Sequence, residues 1–134
     1  SHVTCYSGFP TGVNASSVAA EVLESRSLPV GDERFPGAPY LDGLIDGLVY
    51  GETWNRNQLS VRDRSLATIA VTLAGYQSDQ LRVHLQRGLD NGVTVQEISE
   101  LIAHVTLYSG FPTGVNASRM FADILRERGI PLPD

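Results

Sequence analysis

Apolar residues recur three and four positions apart along most of this chain, the period of an amphipathic helix. The first such segment opens at Pro10 and Thr11, runs through Val18, Val22 and Leu23, and ends near Ser27. Pro29, Gly31, Pro36, Gly37 and Pro39 then mark an irregular linker. Leu41, Leu44, Ile45, Leu48 and Val49 predict a helix from about Leu41 to Trp54. Its glycines, Gly43, Gly47 and Gly51, fall on one stripe and predict close helix packing. Ser60 is placed to cap the next helix, with Asp63 at its positive end. That helix runs to Tyr76 through Leu66, Ile69, Ala70, Leu73 and Ala74, and is expected to be the buried central one. Ser78 opens another through Leu81, His84, Leu85 and Leu89, stopped by Asn91-Gly92 in the left-handed conformation. Thr94 and Glu97 form a capping box ahead of Ile98, Leu101, Ile102 and Val105. Gly110 and Pro112 break that helix, and a last one ends near Gly129. No run alternates polar and apolar residues as a strand does, so the expected fold class is all-α.

A repeat cuts across this pattern. His2 to Ser16 reads HVTCYSGFPTGVNAS and His104 to Ser118 reads HVTLYSGFPTGVNAS, differing only at Cys5 against Leu107. Beyond it the identity fades while the apolar pattern persists, VAAEVLESRSLP against MFADILRERGIP. Common origin by duplication follows. Residues 1–28 are therefore expected to be the closing helix of an upstream repeat, or an N-terminal arm copying the last helix. Residues 29–134 are expected to form one complete domain.

Composition narrows the partners. A chain of 134 residues with 42% hydrophobic content can bury a real core. Its formal net charge of −5, with no basic cluster, argues against nucleic acid as a partner. No stretch has the length and apolarity of a membrane span, so no membrane partner is expected. Cys5 is the sole cysteine, which excludes an intrachain disulfide and a cysteine metal site and suits a cytoplasmic location.

Gln77, Gln80 and His84 share a stripe of one predicted helix, with Leu81 and Leu85 beside it. His84 is thus expected at the border of the apolar face, half-buried and titrating near neutrality. Two readings stay open: a proton-transfer group, or a histidine satisfied by a helix carbonyl or carboxylate. Glu52 lies between Tyr50 and Trp54, where neighbouring rings can raise a carboxyl pKa; a solvated helix-end glutamate is the alternative. Arg62 and Arg64 flank Asp63 and can bind a substrate carboxylate or form helix-start ion pairs. His104, four residues before Tyr108, is expected to line the same cavity or to serve the core or an interface. The three histidines fit no metal-binding spacing, so no metal is expected.

The runs YGETWNRNQLSVRDRSLATIAVTLAGY and LRVHLQRGLDNGVTVQEISELIAHVTLYSGFPTGVNA resemble the carboxymuconolactone decarboxylase family. GETW, RDRSL, the stretch from His84 through Gly92 to Thr94, and YSGFP carry that resemblance, which covers roughly Leu41 to Arg128. It implies an alkylhydroperoxidase-like helical domain around a helical hairpin, assembling into homo-oligomers, trimers or hexamers. The peroxidase branch of that superfamily has a C-x-x-C pair, three residues, then histidine. Laid on this chain, those cysteines fall on Gln77 and Gln80 and the histidine on His84. The branch's glutamate falls on Ser65. Glutamine supplies no thiolate, so thiol peroxidase chemistry is not expected.

The resemblance points instead to a lyase or isomerase that works without a cofactor on a small unsaturated carboxylated lactone, as in aromatic compound catabolism. On that reading His84 transfers a proton and Glu52 orients or protonates it. Arg62 or Arg64 anchors a carboxylate, while Gln77, Gln80, Trp54, His104 and Tyr108 contact the substrate. A non-catalytic small-molecule binder or scaffold is the competing class.

Overall fold

The computed structural model describes residues 35–134, and these form helices with no strand among them. The all-α expectation holds. The N-terminal helix expected within residues 1–28, and the boundary after it, lie outside the described residues. The chain divides after Gln58 into two compact units.

In the first unit, α1 spans Pro39–Leu44 and passes into a π-helical turn over Ile45–Tyr50. A short 3-10 turn follows at Thr53–Asn55. The single helix expected to Trp54 is therefore interrupted. The reason is local. Asn55 Nδ2 donates to the carbonyls of Tyr50 (2.9 Å) and Gly51 (3.1 Å), taking the acceptors that a continuing helix would use. A Cβ on Gly51 would lie 2.5 Å from the Asp46 carbonyl oxygen, so glycine is required where the π turn ends. Among the described residues a Cβ on Gly43 would meet nothing within 4 Å, so no close packing is seen there.

The second unit contains α2 (Val61–Ala74), α3 (Ser78–Asp90), α4 (Val95–Ser109) and α5 (Phe111–Arg128). Helix α2 packs on α3 and α4, and α5 closes the bundle against α4 and α3. Ser60 Oγ accepts from the Asp63 amide at 3.0 Å, the expected cap. Thr94 and Glu97 form the expected capping box. The core joins Ile69 and Leu73 of α2 to Leu81 and Leu85 of α3, Ile98 and Ile102 of α4, and Phe121, Ile124 and Leu125 of α5. Helix α2 is buried on one face only, since Val71 is exposed, so it is not the wholly buried central helix expected. A Cβ on Gly88 would sit 2.9 Å from Ile69 Cδ1, and this close approach seats α3 on α2.

Helix ends are closed in a common way. At the end of α3 the Val93 amide reaches the Gly88 carbonyl and the Gly92 amide reaches Leu89. At the end of α5 the Ile130 amide reaches Leu125 and the Gly129 amide reaches Arg126. Gly92 (φ 94°) and Gly129 (φ 69°) supply the left-handed residue these Schellman caps need. Asn91 keeps φ −92°, so only the glycine of the predicted Asn-Gly stop is left-handed. The same cap ends α2, with Gln77 to Thr72 and Tyr76 to Leu73, but its left-handed residue is Tyr76 at φ 58°. Among the described residues no helix is long and apolar enough to cross a membrane.

Candidate functional site

Helix α3 carries the main concentration of buried polar chemistry. His84 is 7% exposed, not half-buried as its place on the helical wheel predicted. Its Nδ1 is buried with no hydrogen-bond partner among the described residues. Burial lowers its pKa from 6.5 to about 4, so the imidazole is neutral at pH 7 rather than titrating there. One turn further along α3, Arg87 is 2% exposed. A guanidinium taken this far from water requires a partner, and Arg87 has one. Sequence reasoning missed Arg87, because arginine among Gln86, Gly88 and Asp90 reads as part of a solvated face.

The floor beside this stripe is polar too. Asn91 Nδ2 donates to Ser65 Oγ at 2.9 Å, and Ser65 is fully buried. Thr72, also buried, turns its hydroxyl back to the Thr68 carbonyl at 2.8 Å and is satisfied within α2. Gln77 and Gln80 flank the start of α3 and are exposed, so His84 alone of the predicted stripe enters the interior.

The other predicted residues divide by location. Glu52 is exposed in the turn after the π segment, where its backbone has left the helix. Trp54 is buried and its ring lies 5.7 Å from that of Tyr50. Arg62 is committed at the start of α2: it pairs with Glu97 of α4 and, at 3.0 Å, with Asp63. The hydrogen bond from Arg62 to Glu97 raises the arginine's pKa. The Thr94 amide, then Arg62, hold the Glu97 carboxyl below its usual range. Arg64 donates to the Leu59 carbonyl at 3.2 Å. These are helix-start contacts, the structural alternative the sequence left open. The rings of His104 and Tyr108 lie 5.2 Å apart and tilted, and both residues are exposed, Tyr108 at 82%.

A cavity of about 410 Å³ opens between α4, α5 and the C-terminal tail, lined by Ser99, Ile102, Ser118, Phe121 and Leu132 among others. Among the described residues that line it there is none of the predicted site residues and no titratable group. Acid–base work there has no donor, so α3 is the stronger candidate.

The sequence profile of the carboxymuconolactone decarboxylase family matches residues 39–123. The chain belongs to this family. It is 43% identical over 87 residues to a 4-carboxymuconolactone decarboxylase of Acinetobacter baylyi, covering 65% of each chain. It is 32% identical over 74 residues to a nitrosuccinic acid decarboxylase of Metarhizium robertsii, covering 55% of this chain and 52% of the relative. An uncharacterized 15.0 kDa protein of Paracoccus denitrificans is 32% identical over 80 residues, covering 58% of this chain and 60% of that one. The chain thus spans less than two thirds of the length of these relatives.

Proposed function

We propose that this chain is a decarboxylase acting, without a cofactor, on a small unsaturated carboxylated lactone or a related acid. The observation that carries the reading is the buried pair of His84 and Arg87 one turn apart on α3, in a member of this family.

Two of the relatives are named for loss of carbon dioxide from small acids. An unsaturated lactone and a nitro group have one property in common: each accepts an electron pair from a neighbouring carbon. When the carboxylate carbon–carbon bond breaks, carbon dioxide leaves and its bonding pair enters that internal sink. One proton is then added to carbon. The protein must hold the carboxylated substrate, stabilise the developing negative charge and deliver the proton. Arg87 is the proposed anchor for an acidic group, in place of Arg62 and Arg64, whose contacts lie at the helix start. His84 is the proposed proton carrier.

At about 4 its pKa leaves the imidazole unprotonated before substrate arrives. An anionic substrate beside it favours the charged form, so substrate and proton enter together. The imidazolium then gives its proton to carbon as carbon dioxide leaves and regains one from water. Glu52 stays in the proposal as an orienting or proton-donating partner, with Glu52→Gln as its own test. Self-association, as the family resemblance implies, is part of the same reading, as is a soluble cytoplasmic setting.

The test is release of carbon dioxide from 4-carboxymuconolactone by the purified chain. Turnover that falls about 10²-fold in His84→Gln, with helical content retained, supports the assignment. Binding without release of carbon dioxide selects the non-catalytic reading, and unchanged turnover in His84→Gln removes the histidine from the mechanism.

A further inference from the structure

The last turn of α3 is tied to the helices on both sides of it. Toward α2, Asn91 Nδ2 donates to Ser65 Oγ at 2.9 Å, next to the close approach of Gly88 to Ile69. Toward α5, Arg128 Nη1 pairs with Asp90 at 2.9 Å, and its Nη2 donates to the backbone and side-chain oxygens of Gln86, both at 3.4 Å. Gln86, Asp90 and Asn91 thus bracket Arg87, which is almost wholly buried. The other end of the helix differs, for Ser78, Asp79 and Gln80 are exposed.

Neither tie is needed to end a helix. The Gly92 and Val93 amides already close α3, and the Asn91 backbone amide reaches the Arg87 carbonyl at 2.8 Å. The Gly129 and Ile130 amides close α5 in the same way. Nor does burial account for Ser65. It is fully buried, where an alanine would need no partner. Thr68 and Thr72, on the same face of α2, give their hydroxyl protons to carbonyls of their own helix, whereas the Ser65 oxygen accepts across the interface. A directional bond adds register to apolar contact, fixing one placement of α3 where packing alone tolerates a small slide. The turn so fixed is the one that carries Arg87.

We propose that Asn91 and Arg128 are positioning residues, which hold the Arg87 turn between α2 and α5 so that its guanidinium is in place before a substrate carboxylate arrives. The inference rests on the decarboxylase reading, in which Arg87 is the anchor, and adds the residues that make the anchor rigid. Neither touches substrate; both act through Arg87. A fork already in place loses less freedom on binding, and a misplacement of about 1 Å is enough to lose much of a two-pronged contact.

Kinetics of the whole chain on 4-carboxymuconolactone test it, and the Kd of itaconate takes the place of KM if the chain binds without turnover. Asn91→Ala and Ser65→Ala break one bond from its two ends without changing charge. Each is expected to raise KM about 10-fold with kcat within ~3-fold, and the double variant no further. Arg128→Gln should also raise KM, and Arg128→Lys should recover most of the loss. On an Arg87→Gln background Asn91→Ala should have no further effect, because the residue through which it acts is gone. Gly114→Ala, which loosens the packing of α5 on α4, controls for lost stability and should keep the wild-type KM. Unchanged KM in folded Asn91→Ala and Ser65→Ala, an equal rise in Gly114→Ala, or a loss that persists without Arg87 overturns the positioning role alone. A wild type that neither turns over the lactone nor binds itaconate overturns the decarboxylase reading and this role with it.

Discussion

A Cβ placed on Gly114 would lie 1.9 Å from the hydroxyl oxygen of Thr106, so the backbone of α5 at Gly114 packs directly on the Thr106 side chain of α4. The threonine has nowhere to go. Its hydroxyl donates to the Ile102 carbonyl at 2.6 Å and its methyl lies 2.7 Å from the same Cβ position. Gly114→Ala should therefore destabilise the fold by about 1–3 kcal/mol, despite alanine's better helix propensity. Thr106→Ala in the same chain should recover part of that loss, since it removes two of the three clashing atoms. Urea midpoints of the single and double variants measure both effects. Additive losses would show that the crossing has room to shift.

His84 makes the fold sensitive to acid in a predictable direction. The folded state holds its pKa at about 4, below the ordinary 6.5, so the unfolded chain binds the proton first. Its contribution is complete above pH 6.5, declines as pH falls, and is lost by about pH 4. The loss amounts to ~3 kcal/mol at most. Glu97 acts in the same direction at the acid end, because its lowered carboxyl pKa favours folding only while it is ionised. Unfolding midpoints between pH 7.5 and 4 should fall steeply in the wild type. His84→Gln should be flatter between pH 6.5 and 4, and Glu97→Gln flatter only toward the acid end. A His84→Gln profile parallel to the wild type would show that the imidazole is not what titrates.

Tyr76 should be replaceable to the benefit of the fold. Glycine accepts φ 58° without the steric cost that tyrosine bears, so Tyr76→Gly is expected to gain about 1 kcal/mol. Urea midpoints of the wild type and the variant are the measurement. A loss of stability would mean that the ring contributes more within the subunit than its exposure implies.

Helix boundaries were largely legible in the sequence because their signals are local. Ser60 with Asp63, Thr94 with Glu97, and Gly129 each settle a helix end through bonds within a few residues. The π turn was not legible. Leu44, Ile45, Leu48 and Val49 satisfy ordinary helical spacing, and only the Asn55 side chain reveals where the ladder changes. His84 was found by its spacing and its resemblance to a known motif, but its depth was misjudged because one wheel cannot show what the rest of the fold covers. Arg87 escaped for a related reason: burial of a cation is decided by tertiary partners and contradicts the residue's usual preference.

The two arginine assignments separate by kinetics. Arg62 is shared between Glu97 and Asp63 at the surface, so Arg62→Gln should leave kcat/KM within about 3-fold while weakening the tie between α2 and α4. Arg87→Gln removes a buried charge that the proposed function gives to a substrate carboxylate, and should lower kcat/KM about 10–100-fold, mainly through KM. Arg87→Lys restores the charge without the forked geometry and should recover only part of it. Circular dichroism on each variant separates a binding defect from unfolding. Should Arg62→Gln prove the more damaging in a folded protein, the carboxylate anchor belongs at the start of α2.

Binding and protonation should be coupled through one imidazole. His84 is unprotonated in the free protein near pH 6, and an anion held by Arg87 raises the imidazole's proton affinity. Titration of the chain with itaconate, a small unsaturated dicarboxylate, should then draw a proton from the buffer. In calorimetry the observed heat would change with the buffer's ionisation enthalpy, approaching uptake of one proton per site as pH falls from 7 to 5. His84→Gln should still bind through Arg87 yet lose the buffer dependence. Binding whose heat is the same in every buffer would mean that the imidazole does not respond to the anion, and the proton for carbon must then come from elsewhere.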